Sequence, residues 1–121
     1  MKVLIIEDET ALLYALAAEL KTVGAQVLTS ADGKEGFAQI KEHKPDLVLL
    51  DILLPGLHGI DLLEKKNKDQ EIKDIPVIII SNSGSDETVE KAKKLGVKEY
   101  LIKTDYTLEE IINKIRENIK N

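Results

Sequence analysis

Five short runs of aliphatic residues alternate with longer stretches in which apolar and polar residues are mixed. The run at residues 47–50 is the most informative, because four consecutive aliphatic residues predict a strand that is buried on both faces. Similar runs predict strands at residues 2–6 and 77–81, and less apolar runs predict strands at residues 26–30 and 99–102. We therefore expect a five-stranded sheet with its most aliphatic strands inside.

The stretches between the strands carry apolar residues at helical spacing. The first begins at Thr10, which we predict to be the N-cap, and ends at Gly24. Its apolar stripe consists of Leu13, Leu16, Leu20 and Val23. Further helices are predicted at residues 32–42, 59–67, 86–95 and 107–119, and the last has a stripe from Leu108 to Ile119 behind a capping box. The charged run 65–74 is expected to be a solvated helix end and loop.

Strands that alternate with helices through short links define a single α/β domain, which we expect to span residues 1–121. Right-handed crossovers permit few arrangements of such a chain. With the aliphatic first, third and fourth strands inside, the expected architecture is a doubly wound (βα)5 parallel sheet in the flavodoxin-like order 2-1-3-4-5. Its topological switch point lies between strands 1 and 3, at the carboxyl ends of the strands.

The composition narrows the possible functions. Hydrophobic residues make up 43% and charged residues 32% of the 121 residues, which is typical of a globular protein. A net charge of −5 argues against a broad nucleic-acid surface. The absence of cysteine excludes disulfides and suits a reducing compartment. With no apolar run near the roughly 20 residues that span a membrane, we expect a cytoplasmic protein with no membrane partner.

Functional side chains follow four of the predicted strands. Glu7 and Asp8 end strand 1, Asp51 ends strand 3, Ser81 ends strand 4 and Lys103 ends strand 5. Each alone has a simple explanation as a solvated turn residue. Because the carboxyl ends of parallel strands share one edge of the sheet, we expect these side chains to lie together.

Three carboxylates at one edge create an electrostatic problem. At about 5 Å they repel by roughly 3 kcal/mol per pair at an effective dielectric near 20, so the cluster must take up protons or a cation. Ligands that are all oxygen favour Mg²⁺, which in turn favours phosphate as a further ligand. His58, which has no second histidine near it in the loop, is expected to be an exposed loop residue, because one histidine makes no metal cluster. The site is therefore suited to a phosphoryl group beside a hard metal ion.

At this point the sequence resembles the receiver domain of two-component response regulators, particularly the single-domain, chemotaxis-type (CheY-like) members. The resemblance covers essentially the whole chain. It rests on the order and spacing of four motifs, at residues 4–9, 45–56, 76–81 and 96–103.

The resemblance implies a role for each acid at the sheet edge. Asp51 would be the phosphoacceptor, taking the phosphoryl group from the phosphohistidine of a histidine kinase or histidine phosphotransfer protein. Asp8, Asp51 and the backbone carbonyl of Leu53 would bind Mg²⁺, for which Mn²⁺ is a plausible substitute. Glu7 would help through a bound water.

The resemblance also implies how the signal is transmitted. Lys103 would pair with the acyl phosphate, and Ser81 would shift toward a phosphoryl oxygen so that Tyr100 turns inward. The changed surface would be helix 4, strand 5 and helix 5, which would contact a downstream protein. From the sequence alone, Tyr100 is as well explained as a buried anchor. We expect a signalling switch, monomeric or weakly dimeric, and not a turnover enzyme.

Several positions differ from the usual pattern of the family. Thr104 replaces a typical proline, which leaves the isomer of the preceding peptide bond open. Asn82 replaces a smaller residue and narrows solvent access to the phosphorylation site. Leu53 and Ser83 occupy the two positions that influence attack by water in the family. Because Leu53 cannot orient a water by hydrogen bonding, we expect a long-lived phosphorylated state.

Three alternatives belong to other classes of protein. A small phosphatase of the haloacid dehalogenase type would need a second aspartate where Leu53 stands. A flavin or nucleotide carrier would need a Gly-rich loop after strand 1. A degenerate receiver would act only as a docking module and would not take up phosphate. Since the sequence stops soon after the last helix, we expect output through another protein, unless the receiver was cut from a longer chain.

Overall fold

The expected sheet is present in a computed structural model that describes residues 1–82 and 84–119, without the side chain of residue 119. All strand pairs are parallel and the order is β2-β1-β3-β4-β5, as predicted. The strands are β1 (Lys2–Ile6), β2 (Gln26–Ser30), β3 (Leu47–Leu50), β4 (Val77–Ser81) and β5 (Glu99–Ile102).

Helices cover both faces of the sheet, which gives the doubly wound architecture. One apolar core packs α1 and α5 against one face, and a second packs α2, α3 and α4 against the other. The helices are α1 (Thr10–Thr22), α2 (Gly33–His43), α3 (Gly59–Asn67), α4 (Asp86–Lys94) and α5 (Leu108–Ile119). None of the helices described has the length and apolarity needed to cross a membrane.

The central strands are buried because both of their faces carry aliphatic side chains. Every residue of β3 and β4 is buried, whereas the edge strands β2 and β5 are partly exposed. Successive side chains of β1 enter opposite cores, with Ile5 on the α1 side and Ile6 on the α2 side. Leu50 of β3 lies beside Ile6 and Ile79, so the end of β3 is fixed at the middle of the sheet.

Local sequence signals set most of the helix ends. The Asp32 carboxylate accepts hydrogen bonds from the backbone N–H groups of Lys34 and Glu35 at 2.7 and 3.1 Å, which begins α2. Gly24 and Gly96 adopt φ values of 91° and 89° just beyond α1 and α4. These left-handed positions suit glycine, and they close both helices with backbone hydrogen bonds.

The structure corrects two predictions about α1. Thr10 is the first helical residue and not the N-cap; Glu9 holds that position without a capping side-chain hydrogen bond. Val23 is the C-cap and is 40% exposed, because the chain leaves the helix before that residue can turn inward. Ala17 completes the buried stripe in its place. The predicted stripe of α5 is confirmed at Ile111, Ile112 and Ile115 and is wrong at Leu108, which is exposed in the first turn of the helix; the Ile119 side chain lies outside the described residues.

The charged run 65–74 is only partly the solvated segment that we expected. Lys66 and Ile72 are buried. Ile72 packs in the core beneath α2, α3 and α4, because the turn after α3 folds back onto that core. The peptide bond between Lys103 and Thr104 is trans, as is every bond in the described ranges.

The capping box of α5 provides a stability test. The Thr107 hydroxyl oxygen accepts a hydrogen bond from the Glu110 N–H at 3.1 Å, and the Glu110 carboxylate accepts one from the Thr107 N–H at 2.8 Å. We expect Thr107→Ala to lower the free energy of unfolding by about 1 kcal/mol, measured by urea denaturation. Thr104→Ala, at an exposed position, is the matched control and should be nearly neutral. Equal losses in the two variants would contradict a specific role for the cap.

Candidate functional site

The functional side chains meet at the carboxyl edge of the sheet, at the switch point between β1 and β3. There the connection from β1 leads to α1 on one face and that from β3 leads to α3 on the other. The Asp51 N–H donates to the Ile6 carbonyl at 3.0 Å, so the segments that follow β1 and β3 diverge directly after this backbone hydrogen bond. This divergence leaves a crevice above the sheet.

Lys103 provides the positive charge of this crevice. It lies in a 3₁₀ turn, Lys103–Asp105, directly after β5, and its side chain is only 9% exposed. Its Nζ lies 2.9 Å from Glu7 Oε1, 3.3 Å from Glu9 Oε1 and 3.5 Å from Asp51 Oδ2. One ammonium group therefore holds three carboxylates that come from β1 and β3.

The predicted acidic cluster is present. Carboxylate oxygens of Glu7, Asp8 and Asp51 lie within 4.8 Å of one another. Glu7 and Asp51 are buried and Asp8 is exposed, so the cluster faces solvent on the Asp8 side. A group of hard oxygen donors at this spacing fits a small divalent cation such as Mg²⁺. The adjoining cavity of about 300 Å³ is lined by Asp8, Glu9, Asp51, Leu53, Asn82 and Lys103.

The electrostatics of the pocket favour incoming positive charge. Burial raises the pKa of Glu7 to about 7; the Lys103 hydrogen bond opposes this shift, and the Asp51 charge adds to it. Burial alone would lower the pKa of Lys103, but the hydrogen bond and charge of Glu7, helped by Asp51 and Glu9, raise it. The Lys103 ammonium thus stays charged, and one lysine only partly offsets the crowded acids.

Ser81 and Tyr100 form a pair of interacting side chains on the neighbouring strands β4 and β5, next to the acids. Ser81 is fully buried at the end of β4, and its side chain interacts with that of Tyr100. The Tyr100 hydroxyl lies so close to Gly84 that a Cβ built there would be 2.7 Å from it. Burial raises the pKa of Tyr100; the Ser81 hydrogen bond opposes that shift, and the Asp51 charge adds to it. The pair therefore links the acidic pocket to the surface at β5.

The loop after β3 orients the Asp51 carboxylate. The backbone N–H of Leu53 donates to Asp51 Oδ1 at 3.3 Å. The Leu53 side chain is 59% exposed and lines the cavity, as does the exposed Asn82. Ser83, the other position expected to influence attack by water, lies outside the described residues. The entrance to the pocket is thus bordered by the apolar side chain of Leu53 and the side-chain amide of Asn82.

The structure brings Glu7, Asp8, Asp51 and Lys103 together as the sequence predicted. Sequence reasoning missed the contact of Glu9 with Lys103. The signal was present, because Glu9 is the third acid in a row after β1. Its position before α1 turns its carboxylate toward the same ammonium.

The fold and the site define a doubly wound α/β domain with a pocket for a hard cation and an anion at its switch point. The family model described as the response regulator receiver domain matches residues 3–116. The chain therefore belongs to the response regulator receiver family.

Relatives match the chain over nearly its whole length. Protein PilH of Pseudomonas aeruginosa is 36% identical over 116 residues, covering 94% of this chain and 96% of PilH. Chemotaxis protein CheY-3 of Vibrio cholerae is 33% identical over 122 residues, covering 98% and 94%. A crystal structure described as the Mn²⁺-bound form of response regulator Rcp1 has a TM-score of 0.82 at 26% identity, covering 96% and 89%.

Family membership confirms the class of function inferred from the residues. The chain is a CheY-like receiver of a two-component system and acts as a phosphorylation-activated switch. Receivers act as switches, are phosphorylated by histidine kinases and signal to downstream targets. The haloacid dehalogenase and docking-module alternatives are not favoured.

The raised pKa of Glu7 predicts a pH-dependent stability when metal is removed. Below about pH 4.5 Glu7 is protonated in both states; as the pH rises to about 7, the unfolded chain ionises first, so the free energy of unfolding falls. We expect Glu7→Gln, measured by chemical denaturation in EDTA, to be more stable than the parent at pH 8, with the difference vanishing near pH 4.5. The exposed control Glu117→Gln should show no such trend. A Glu7→Gln protein that is less stable at pH 8 would contradict the prediction.

Proposed function

We propose that Asp51 is the phosphoacceptor of this receiver. The observation that carries the proposal is the contact of Lys103 Nζ with Asp51 Oδ2 at 3.5 Å, across 52 residues of sequence, inside a cavity open to solvent. An Asp51 carboxylate oxygen attacks the phosphorus of a partner's phosphohistidine, and the N–P bond breaks as the O–P bond forms. Such transfer depends on positioning and charge neutralisation, both of which the pocket provides.

We further propose that the acidic cluster holds Mg²⁺, with Mn²⁺ as a substitute. Asp8, Asp51 and the Leu53 backbone carbonyl would be the ligands, and Glu7 would act through a bound water. Support comes from the 4.8 Å grouping of the acids and from the Mn²⁺-bound form of Rcp1. When bound, the ion would neutralise charge on the phosphoryl oxygens and the acids.

Lys103 serves as the cationic partner of the acyl phosphate. Its ammonium already lies within reach of Asp51. It can therefore exchange a carboxylate for a phosphoryl oxygen without a large movement. Because an ammonium has three donors and Lys103 already contacts three carboxylates, binding a phosphoryl oxygen requires it to release one of them. Lys103 thereby links occupancy of Asp51 to the chain that follows β5.

The pair of interacting side chains Ser81 and Tyr100 is our candidate for the switch. A phosphoryl oxygen on Asp51 would compete for the Ser81 hydroxyl and change the position of Tyr100. The conformer that binds the phosphoryl group better would then gain population. The surface that changes is α4, β5 and α5, where a downstream protein would bind.

The remaining features of the proposal concern the chain as a whole. We propose one receiver domain over residues 1–121, monomeric or weakly dimeric. It would be a switch with slow self-dephosphorylation and not a turnover enzyme. Its partners would be a histidine kinase or phosphotransfer protein and a protein target, with no direct contact to nucleic acid. The cytoplasmic location expected from the sequence stays a prediction.

The direct test is intact mass after treatment with acetyl phosphate and Mg²⁺. We expect the parent to gain the mass of one phosphoryl group and Asp51→Asn to gain none, because the amide is a poor nucleophile. Asp61→Asn, on the exposed surface of α3, is the matched control and should behave as the parent does. EDTA should suppress the gain in the parent.

Two outcomes would overturn the assignment of Asp51. No gain of mass in a folded parent would favour the docking-module interpretation, and an equal gain in Asp51→Asn would place the phosphoryl group on another residue. Steady turnover of p-nitrophenyl phosphate that depends on Asp51 would instead favour a phosphatase.

Leu53 sets the expected lifetime of the phosphorylated state. Its exposed side chain lines the cavity beside Asp51 and has no group that can orient an attacking water. We expect Leu53→Asn to shorten the lifetime several-fold, measured by loss of the phosphorylated mass after removal of acetyl phosphate. Val23→Asn is the control, since it changes an exposed aliphatic side chain remote from the pocket. Equal lifetimes in the parent and Leu53→Asn would refute this role.

A further inference from the structure

A second cavity lies at the opposite end of the sheet from Asp51. Its volume is about 380 Å³, within the range of small-molecule sites. It opens at Val77, the first residue of β4, and Ser81 at the other end of that strand is about 13 Å away. The wall is formed by Leu63, Lys66, Asn67, Lys73, Asp74, Ile75, Pro76, Val77, Leu95, Gly96, Val97 and Lys98.

Lys66 is the unusual member of this wall. It is only 3% exposed, although lysine is almost never fully buried without a partner. Its ammonium donates one hydrogen bond, to the Lys73 carbonyl at 2.8 Å. In the part of the chain that the structure describes, this carbonyl is its one hydrogen-bond acceptor. Two of the three ammonium protons are therefore available to a group inside the cavity.

The charges around the cavity favour an anion. Lys66, Lys73 and Lys98 contribute three positive charges, and Asp74 contributes one negative charge. The C-terminal ends of α3 and α4 also border the cavity, and each is equivalent to about half a negative charge. The Leu95 carbonyl at the end of α4 is already bound by the Asn67 side-chain amide at 2.8 Å. The net charge around the cavity is therefore about +1.

Part of the remaining wall is aliphatic, which limits the kind of anion. Ile75, Pro76, Leu95 and Val97 are partly exposed and offer carbon surface without further charge, while Leu63 and Val77 lie buried behind them. A hydrated inorganic ion would leave that surface against water, whereas a compact apolar body would cover it. We propose that this cavity binds a small organic anion, with one carboxylate or phosphate group at Lys66 and an apolar body against the aliphatic wall.

The test is an NMR titration of the backbone amides with four probes. Benzoate and phenyl phosphate carry the two possible head groups, benzamide is a neutral analogue, and inorganic phosphate lacks the apolar body. We expect saturable shifts at Asn67, Lys73 and Lys98 with benzoate, phenyl phosphate or both, and weaker binding of benzamide and inorganic phosphate. The stronger of the two organic anions identifies the head group.

Variants make the assignment specific to Lys66. Lys66→Met keeps the shape of the side chain and removes the charge, and should weaken binding by about tenfold or more. Lys21→Met makes the same change at an exposed site on α1 and should have no effect. Should Lys66→Met fail to fold, Lys98→Met removes another of the three positive charges, at the exposed rim of the cavity, and should also weaken binding.

Three results would overturn the proposal. The first is the absence of saturable shifts with both organic anions. The second is benzamide or inorganic phosphate binding as tightly as the organic anions. The third is unchanged binding in Lys66→Met or, where that variant fails to fold, in Lys98→Met.

Discussion

The sharing of one ammonium group among three carboxylates is the interaction on which this site depends. Lys103 reaches Glu7, Glu9 and Asp51 only because β1, β3 and β5 end at the same edge of the sheet. The aliphatic strands that form the two cores thus also bring these carboxylates close together. Without metal, one lysine faces three carboxylates, and burial of Glu7, with a smaller contribution from the Asp51 charge, raises the pKa of Glu7. A divalent ion and a phosphoryl group would therefore complete a charge balance that the chain leaves open.

Most of the fold could be predicted from the sequence because its signals agree at every level. Runs such as residues 47–50 have few alternatives to a buried strand, and right-handed crossovers restrict the order of the strands. The errors arose where tertiary packing overrides local pattern. Val23 has helical spacing but stands beyond the last turn of α1. Ile72 lies in a charged run, and its burial depends on how the turn after α3 folds back.

The candidate site could be predicted only in part. Strand ends identify Asp51 and Lys103, because backbone topology brings such ends together. Glu9 was missed because its contact depends on side-chain direction before α1. His58 is exposed, as expected. Its Nδ1 also accepts a hydrogen bond from the Ile60 N–H at 3.2 Å and caps α3, a role that the sequence pattern does not predict. The burial of Lys66 has a signal in its spacing, because Lys66 lies four and three residues after the buried Leu62 and Leu63 on one face of α3, but its charge and the charged run around it favour a solvated position.

The hydrogen bond from Asn67 to the Leu95 carbonyl has a mechanical consequence. It ties the last turn of α4 to the end of α3, and Ala92, fully buried, holds that same turn against the core. At the opposite end of α4, the hydrogen bonds between Ser85 and Thr88 cap the first turn but join it to no other element. A rigid rod fastened at one end swings about that end, so displacement of α4 would be greatest at its first turn. That turn follows the loop beside Tyr100, and a small local change there would be enlarged along the outer surface.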